Sequence, residues 1–313
     1  MKYTRKVLIA APVHEVLLDG LRKAGYECII ESQITQARAF ELIEECTGVV
    51  TSTRLQLNKD LLGAAPRLKW IGRMGSGMEV VDVAYAGQKG ITCYSSPEGN
   101  SNAVAEHALG MLLSLNKRIL TSNFEVKTGK WIRDANRGVE LEGKTIGIIG
   151  FGHTGRAFAR KLQNFDMKIL AYDKYRQHNF PKDVANCSSL DAIYQQADII
   201  SFHVPLQPDT LHYFNNSFIE KMHTPFVLIN TSRGAIIDSK SLLDGLLRGN
   251  IAGACLDVFE EEPLDKMSKE KTEIFDQIVK MPQVIITPHI AGYSFEALYK
   301  MSKVLLDKIV IAE

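Results

Sequence analysis

The chain has 313 residues, and its 37 lysines and arginines against 36 aspartates and glutamates leave a formal net charge of +1. That balance offers no broad basic field for nucleic acid or a membrane surface, and the length exceeds what one hydrophobic core organises, so two domains and small-molecule or protein partners are expected. Five scattered cysteines, Cys28, Cys46, Cys93, Cys187 and Cys255, form no C-x-x-C pair, which predicts reduced, inert thiols in a cytoplasm-like compartment and no metal site.

The N-terminus is basic and then apolar, but the apolar run Val7-Leu-Ile-Ala-Ala is too short for a signal sequence and reads as a first strand. No transmembrane segment or low-complexity tract is evident. Apolar runs predict strands over 7–10, 27–30, 48–51, 68–73 and 91–94, with helices over 13–24 and 37–46. The turn-rich stretch 95–101 reads as a hinge, and 102–120 as a long apolar helix that opens a second domain. Further strands are expected over 145–149, 168–172, 198–203, 226–230, 252–257 and 284–287, most preceded by a helical stretch. Such alternation specifies an α/β fold with a doubly wound parallel sheet.

Gly150-Phe-Gly152-His-Thr-Gly155 follows a predicted strand and opens a predicted helix over 156–164, with Phe158 and Leu162 on one face. In that context the glycines have separate tasks. Gly150 permits the sharp turn, Gly152 lets backbone approach a pyrophosphate, and Gly155 lets the helix pack on the strand. Asp173, ending the next strand, can accept hydrogen bonds from ribose hydroxyls and would repel a 2′-phosphate, which favours NAD over NADP, although the adjacent Lys174 leaves the strictness open. Because this turn begins in mid-chain, the first domain must be completed elsewhere, and a last helix over 294–309 is the available piece. The expected organisation is a Rossmann-type NAD domain over 98–285 and a smaller, discontinuous flavodoxin-like substrate domain made of 1–97 and 286–313.

Along essentially its whole length the chain resembles the D-isomer-specific 2-hydroxyacid dehydrogenases. The resemblance rests on Arg73-Met-Gly-Ser-Gly77-Met-Glu-Val-Val-Asp82, Asn102-Ala-Val-Ala-Glu106-His and the Gly150 turn. It continues through His203-Val-Pro-Leu206 with Thr210, Asn230-Thr-Ser-Arg233-Gly-Ala, Leu256-Asp257-Val-Phe-Glu-Glu-Glu262-Pro and Thr287-Pro-His289-Ile-Ala-Gly292. It implies that Arg233 anchors the substrate carboxylate, a role suited to a permanently charged bidentate fork. His289 is implied as the acid/base, since imidazole titrates near neutral pH, with Glu262 as the carboxylate that holds it. Read from its residues alone, Glu262 is no better a candidate than Glu260 or Glu261.

The same resemblance places backbone groups of Gly75, Ser76 and Gly77 on the substrate carboxylate, with Glu79 where a shorter Asp is common. It assigns Asp257 to the nicotinamide carboxamide and His153, Thr154, Val204, Thr231, Ser232 and Gly292 to the cofactor. His203 is either a cofactor-lining residue or a satisfied strand-end histidine, whereas His14, His178, His212 and His223 read as structural. The implied reaction is reversible hydride transfer between C2 of a hydroxy acid and NAD, in a cleft that closes by domain hinging.

Around Gly129-Lys-Trp131-Ile-Arg133 the chain looks most like phosphoglycerate dehydrogenases, and Arg54, Arg73, Lys130 and Arg133 are cations that could reach a substrate phosphate. Ser52 stands where the first arginine of their usual V-R-S-x-T pattern would fall, which keeps glyoxylate, hydroxypyruvate or another unphosphorylated acid open. Ending at Glu313, the chain is expected to lack a serine-binding C-terminal regulatory domain. A homodimer through the cofactor domain is implied. A reading of another class is an NAD-sensing binding protein, since corepressors that resemble this family keep the same three residues.

Overall fold

The computed structural model describes residues 5–175, 184–186 and 189–311; His178 and Cys187 lie outside them. The chain divides into two compact units, Met1–Ser101 with Tyr293–Glu313, and Asn102–Gly292. In the first, short apolar runs form β1 (Arg5–Ala10), β2 (Tyr26–Ile30), β3 (Cys46–Thr51), β4 (Trp70–Arg73) and β5 (Thr92–Ser95). All pair in parallel in the order β2-β1-β3-β4-β5, the flavodoxin-like arrangement. Between them lie α1 (Glu15–Lys23), α2 (Gln36–Ile43), α3 (Lys59–Gly63) and α4 (Val83–Gln88), the last three capped by the side chains of Thr35, Asn58 and Asp82. α3 and α4 were not expected. At five and six residues they are too short to show helical periodicity, and their caps are the only local signal.

The stretch 95–101, expected as a hinge, is helical from Pro97, where α5 (Pro97–Asn116) begins. Proline suits a first helical position, and Glu98 in the first turn favours the dipole. The crossing between units therefore falls inside a helix, after Ser101, and the return crossing falls after Gly292 rather than after 285. The expected helix over 102–120 instead stops at Asn116; Arg118 is left-handed (φ 53°), and α6 (Ile119–Lys127) starts anew with no buried residue.

The second unit adds β6 (Thr145–Ile149), α7 (His153–Leu162), β7 (Lys168–Tyr172), β8 (Ala185–Asn186), α8 (Asp191–Gln196) and β9 (Ile199–Phe202). It continues with α9 (Asn216–Lys221), β10 (Phe226–Asn230), α10 (Ser239–Arg248), β11 (Ile251–Leu256), α11 (Lys269–Ile278) and β12 (Val284–Ile286). The seven parallel strands run β12-β11-β10-β9-β6-β7-β8, a doubly wound order whose direction reverses between β6 and β9. Apolar residues cover both faces, Phe202, Phe214, Phe218 and Phe226 on one and Ile146, Ile148, Phe158 and Leu162 on the other.

The final helix, α12 (Phe295–Ile311), belongs to the first unit, where Leu305 and Ile309 join Val7, Ile9, Leu17, Leu21 and Trp70 in one core. Lys308 ties it to the start of α5 through Glu98 (2.9 Å) and the Ser95 carbonyl (2.8 Å). A Cβ on Gly99 would lie 2.5 Å from the Met301 backbone nitrogen, which no side-chain adjustment relieves. Gly99→Ala should therefore cost about 1–3 kcal/mol, read as a lower urea midpoint with faster proteolysis of α12. A wild-type midpoint and cleavage rate would contradict this seating of the helix.

Candidate active site

The parallel register of the second sheet decides which residues reach its carboxyl edge. Ile149 lies beside Tyr172 and Phe202, Asn230 beside Phe202 and Leu256, and Leu256 beside Ile286. One residue further along each strand therefore come Gly150, Asp173, His203, Thr231, Asp257 and Thr287.

The glycine turn has the shape a dinucleotide needs. Gly150 is left-handed (φ 92°), and a Cβ there would meet the His203 carbonyl oxygen at 2.5 Å and Val204 Cγ1 at 2.8 Å. A Cβ on Gly155 would meet the Gly150 carbonyl at 2.2 Å, whereas the corresponding position on Gly152 faces open space. α7 begins at His153 with no side-chain cap, leaving first-turn N–H groups of His153, Thr154 and Gly155 directed at that space. Asp173 accepts from Phe151 N (2.8 Å) and Tyr175 N (2.9 Å), which locks its carboxylate beside the turn. Lys174 pairs with Asp209 at 2.7 Å. The buried Thr231 hydroxyl has no protein partner, nor does His203 Nδ1. These orphaned groups and the unfilled cradle fit a dinucleotide along this edge.

His203 and His289 occupy opposite environments. His203 Nε2 lies 2.9 Å from Ser201 Oγ, and burial pushes its pKa down to about 3, so it stays neutral at any working pH. His289 is half exposed, and its Nδ1 lies 2.7 Å from Glu262 Oε2. Glu262 Oε1 accepts from Phe259 N (2.8 Å), which fixes the carboxylate in its own turn. With Nδ1–H donating to Glu262, Nε2 is the ring atom left to exchange a proton. His289 itself is left-handed (φ 56°), its N–H donating to the Asp257 carbonyl at 2.8 Å.

Three consecutive glutamates that look alike in sequence have three different partners. Glu260 accepts from Ser239 N (2.9 Å), the Ser239 hydroxyl, Lys271 Nζ (2.7 Å) and His212 Nε2 (2.8 Å). Glu261 accepts from Ser268 N at 2.6 Å, where Ser268 caps α11. Glu262 is the one of the three that meets His289. His212, Asp238 and Glu260 bring ligand-type atoms within 4.8 Å of one another, but the Lys271 ammonium already compensates Glu260.

Arg233 is partly exposed, and its turn is set by Asn230, which is fully buried. Asn230 Oδ1 accepts from Ser232 N (3.1 Å) and Ser232 Oγ (2.7 Å), while its Nδ2 donates to the Arg233 carbonyl (2.9 Å). A Cβ on Gly234 would lie 1.6 Å from the Phe259 carbonyl, so the arginine turn is pressed directly onto the turn that carries Glu262. Asn230 was missed from sequence; a strand-ending Asn before a turn was its signal.

Asp257, expected on the nicotinamide carboxamide, is 1% exposed, and its oxygens receive Thr287 Oγ1 (2.6 Å), Ile290 N (2.9 Å) and Ala291 N (2.7 Å). Gly292 follows as the last residue of this unit. In the other unit, Gly75 (φ 132°) and Gly77 are buried and Ser76 is exposed, with Gly75 N donating to Ser96 Oγ at 3.0 Å. Burial raises the thiols of Cys28, Cys46, Cys93 and Cys255, so none is an activated nucleophile.

Residues 109–291 match the D-isomer specific 2-hydroxyacid dehydrogenase, NAD binding domain. The chain belongs to the D-isomer specific 2-hydroxyacid dehydrogenase family. It is 31% identical to D-3-phosphoglycerate dehydrogenase of Archaeoglobus fulgidus over 97% of its own length and 56% of the relative's, so it spans about half of that protein. It is 33% identical to hydroxypyruvate reductase of Thermotoga maritima, covering 90% of this chain and 89% of that one. Among solved structures, D-lactate dehydrogenase from Aquifex aeolicus, complexed with NAD and lactic acid, has a TM-score of 0.83 at 28% identity, covering 98% and 95% of the two chains. The second unit is thus this family's NAD-binding domain.

Burial alone would raise the Glu260 carboxyl, but hydrogen bonds from Lys271, Ser239 and His212 hold it down to about 2. Its stabilisation is therefore complete above the ordinary value of 4.5 and is lost as pH falls towards 2. Glu260→Gln should be about 3 kcal/mol less stable at pH 7, with roughly half of that gap gone by pH 3. Urea unfolding across that range measures it; a pH-independent gap would contradict the assignment.

Proposed function

We propose that this protein interconverts a D-2-hydroxy acid and its 2-keto acid as an NAD-linked oxidoreductase. The observation that carries the reading is the 2.7 Å pair between His289 Nδ1 and Glu262 Oε2, which leaves Nε2 as the acid/base atom. Arg233 anchors the substrate carboxylate. In oxidation His289 takes the hydroxyl proton at Nε2 while Glu262 stabilises the resulting imidazolium; in reduction the same nitrogen returns it to the keto oxygen. NAD, when bound, supplies the hydride acceptor. Gly150, Gly152, His153, Thr154 and Gly155 hold its pyrophosphate and Asp173 its ribose, with His203, Val204, Thr231, Ser232, Asp257 and Gly292 lining the rest. With Lys174 engaged by Asp209, Asp173 acts alone against a 2′-phosphate.

The finer proposal is the 3-phosphoglycerate/3-phosphohydroxypyruvate pair, and hence serine biosynthesis, supported by the Archaeoglobus relative that matches almost all of this chain. One observation favours an unphosphorylated acid such as hydroxypyruvate or glyoxylate. Arg73 is buried and donates from Nη1 to the Met74 carbonyl, which spends one of the cations suited to a phosphate and leaves Arg54 exposed in that unit.

The test follows NADH absorbance with 3-phosphohydroxypyruvate, hydroxypyruvate, glyoxylate and pyruvate. Arg233→Ala should raise KM for the acid at least tenfold, and His289→Ala should lower kcat at least a hundredfold with NADH binding retained. Unchanged kinetics in both variants would overturn the roles, and NADH binding without turnover of any acid would favour an NAD-sensing protein.

The proposed assembly is a homodimer in a reducing, cytoplasm-like compartment. On α6 and the segment after it, Phe124 is 68% and Trp131 80% exposed, together with Ile119, Leu120 and Val139. Light scattering should give twice the chain mass, and Phe124→Glu with Trp131→Glu should halve it; a wild-type monomer would contradict the dimer.

A further inference from the structure

We infer that His107 is a positioning residue of this site, holding the His289 turn through Thr287 and Asp257; the inference rests on the acid/base role proposed for His289. His107 lies on α5, within the NAD-binding unit. Its Nε2 is 2.9 Å from Thr287 Oγ1 and 3.6 Å from Asp257 Oδ1.

The direction of each hydrogen bond follows from counting protons. A threonine hydroxyl has one proton to give. Thr287 Oγ1 lies 2.6 Å from Asp257 Oδ1 and 3.9 Å from Met111 Sδ, a much poorer acceptor, so its proton goes to the carboxylate. Thr287 Oγ1 must then accept from His107, which places a proton on His107 Nε2. A relay results in which imidazole donates to hydroxyl and hydroxyl donates to carboxylate.

The far end of the relay is the backbone on either side of the His289 side chain. Asp257 Oδ1 and Oδ2 accept from Ile290 N and Ala291 N, and the Asp257 carbonyl accepts from His289 N. Those three bonds hold a β-carbon-bearing residue at φ 56°, a conformation that a free chain seldom keeps. A buried carboxylate that loses a donor seeks another by moving, and the groups able to move are the amides of this turn. The imidazole of His289 would then leave the alignment that Glu262 gives it. His107 touches no reacting atom in this scheme; it acts by holding the Thr287 hydroxyl in the orientation that donates to Asp257, and without it that hydroxyl is free to turn away and leave the carboxylate short of a donor.

Three variants test this: His107→Leu removes the donor, His107→Gln places an amide N–H the same number of bonds from Cα, and Thr287→Val removes the relay hydroxyl at nearly constant volume. For each, kcat and KM with NADH and the best keto acid are measured beside amide hydrogen exchange of the 284–293 peptide. His107→Leu and Thr287→Val should lose at least tenfold in kcat, with KM for NADH within about threefold, and should exchange faster in 284–293. His107→Gln should recover most of both readouts.

Wild-type kcat and exchange in His107→Leu and Thr287→Val would overturn the inference. So would a kcat loss with unchanged exchange, or faster exchange spread through the whole unit with loss of NADH binding and no rescue by glutamine. If the wild-type protein turns over no hydroxy acid, the functional reading fails, and the exchange of 284–293 still decides the relay.

Discussion

The site depends on a buried anion that has to be satisfied. Asp257 stands at the end of β11 with almost no exposure, and an ionised carboxylate there is tolerated only when donors surround it. Its donors come from the chain that leaves β12, so the Thr287–Ala291 segment has to fold over the carboxylate. That requirement puts His289 in a left-handed conformation and turns its ring to Glu262. The His289 ring is thus aimed by an electrostatic demand one strand away.

The same edge separates two histidines by their surroundings. His203 follows β9, where desolvation keeps its imidazole neutral, and a ring fixed in one state can pack and line but cannot cycle a proton. His289 follows β12, where its ring is half exposed and meets the Glu262 carboxylate. In sequence both are histidines at strand ends. Only the depth of the strand and the partner reached across it separate them, and both are properties of the folded sheet.

Legibility in the sequence follows from how local each determinant is. All strands but the two-residue β8 were readable because a buried parallel strand is a short apolar run, and the Gly150 turn because its needs lie within six residues. Helix α5 was misread at its start because Gly99, a poor helix former, is required there by the approach of Met301, some two hundred positions away. Glu260, Glu261 and Glu262 were indistinguishable for the same reason: Ser239, Ser268 and His289, which separate them, lie elsewhere in the chain. Asn230 and His107 stand inside the Asn230-Thr-Ser-Arg233 and Asn102-Ala-Val-Ala-Glu106-His stretches, but what each does is set by partners those stretches do not reveal, the Arg233 carbonyl and the Thr287 hydroxyl.

Arg233 and Glu262 share one mount, since Gly234 behind Arg233 packs against the Phe259 carbonyl and Phe259 N–H holds Glu262. In the proposed reaction that mount would address only two features of a substrate, a carboxylate and the oxygen on the next carbon. Phosphoglycerate, hydroxypyruvate and lactate present the same two features and differ in what C3 bears: a phosphate ester, a hydroxyl or only hydrogen. Nothing in the Arg233–Glu262–His289 arrangement discriminates among them, so selectivity has to reside in groups that meet C3. An interior arginine such as Arg73 is a poor instrument for that purpose, because drawing its guanidinium outward would strip the Met74 carbonyl of its donor and disturb the Gly75 turn above it.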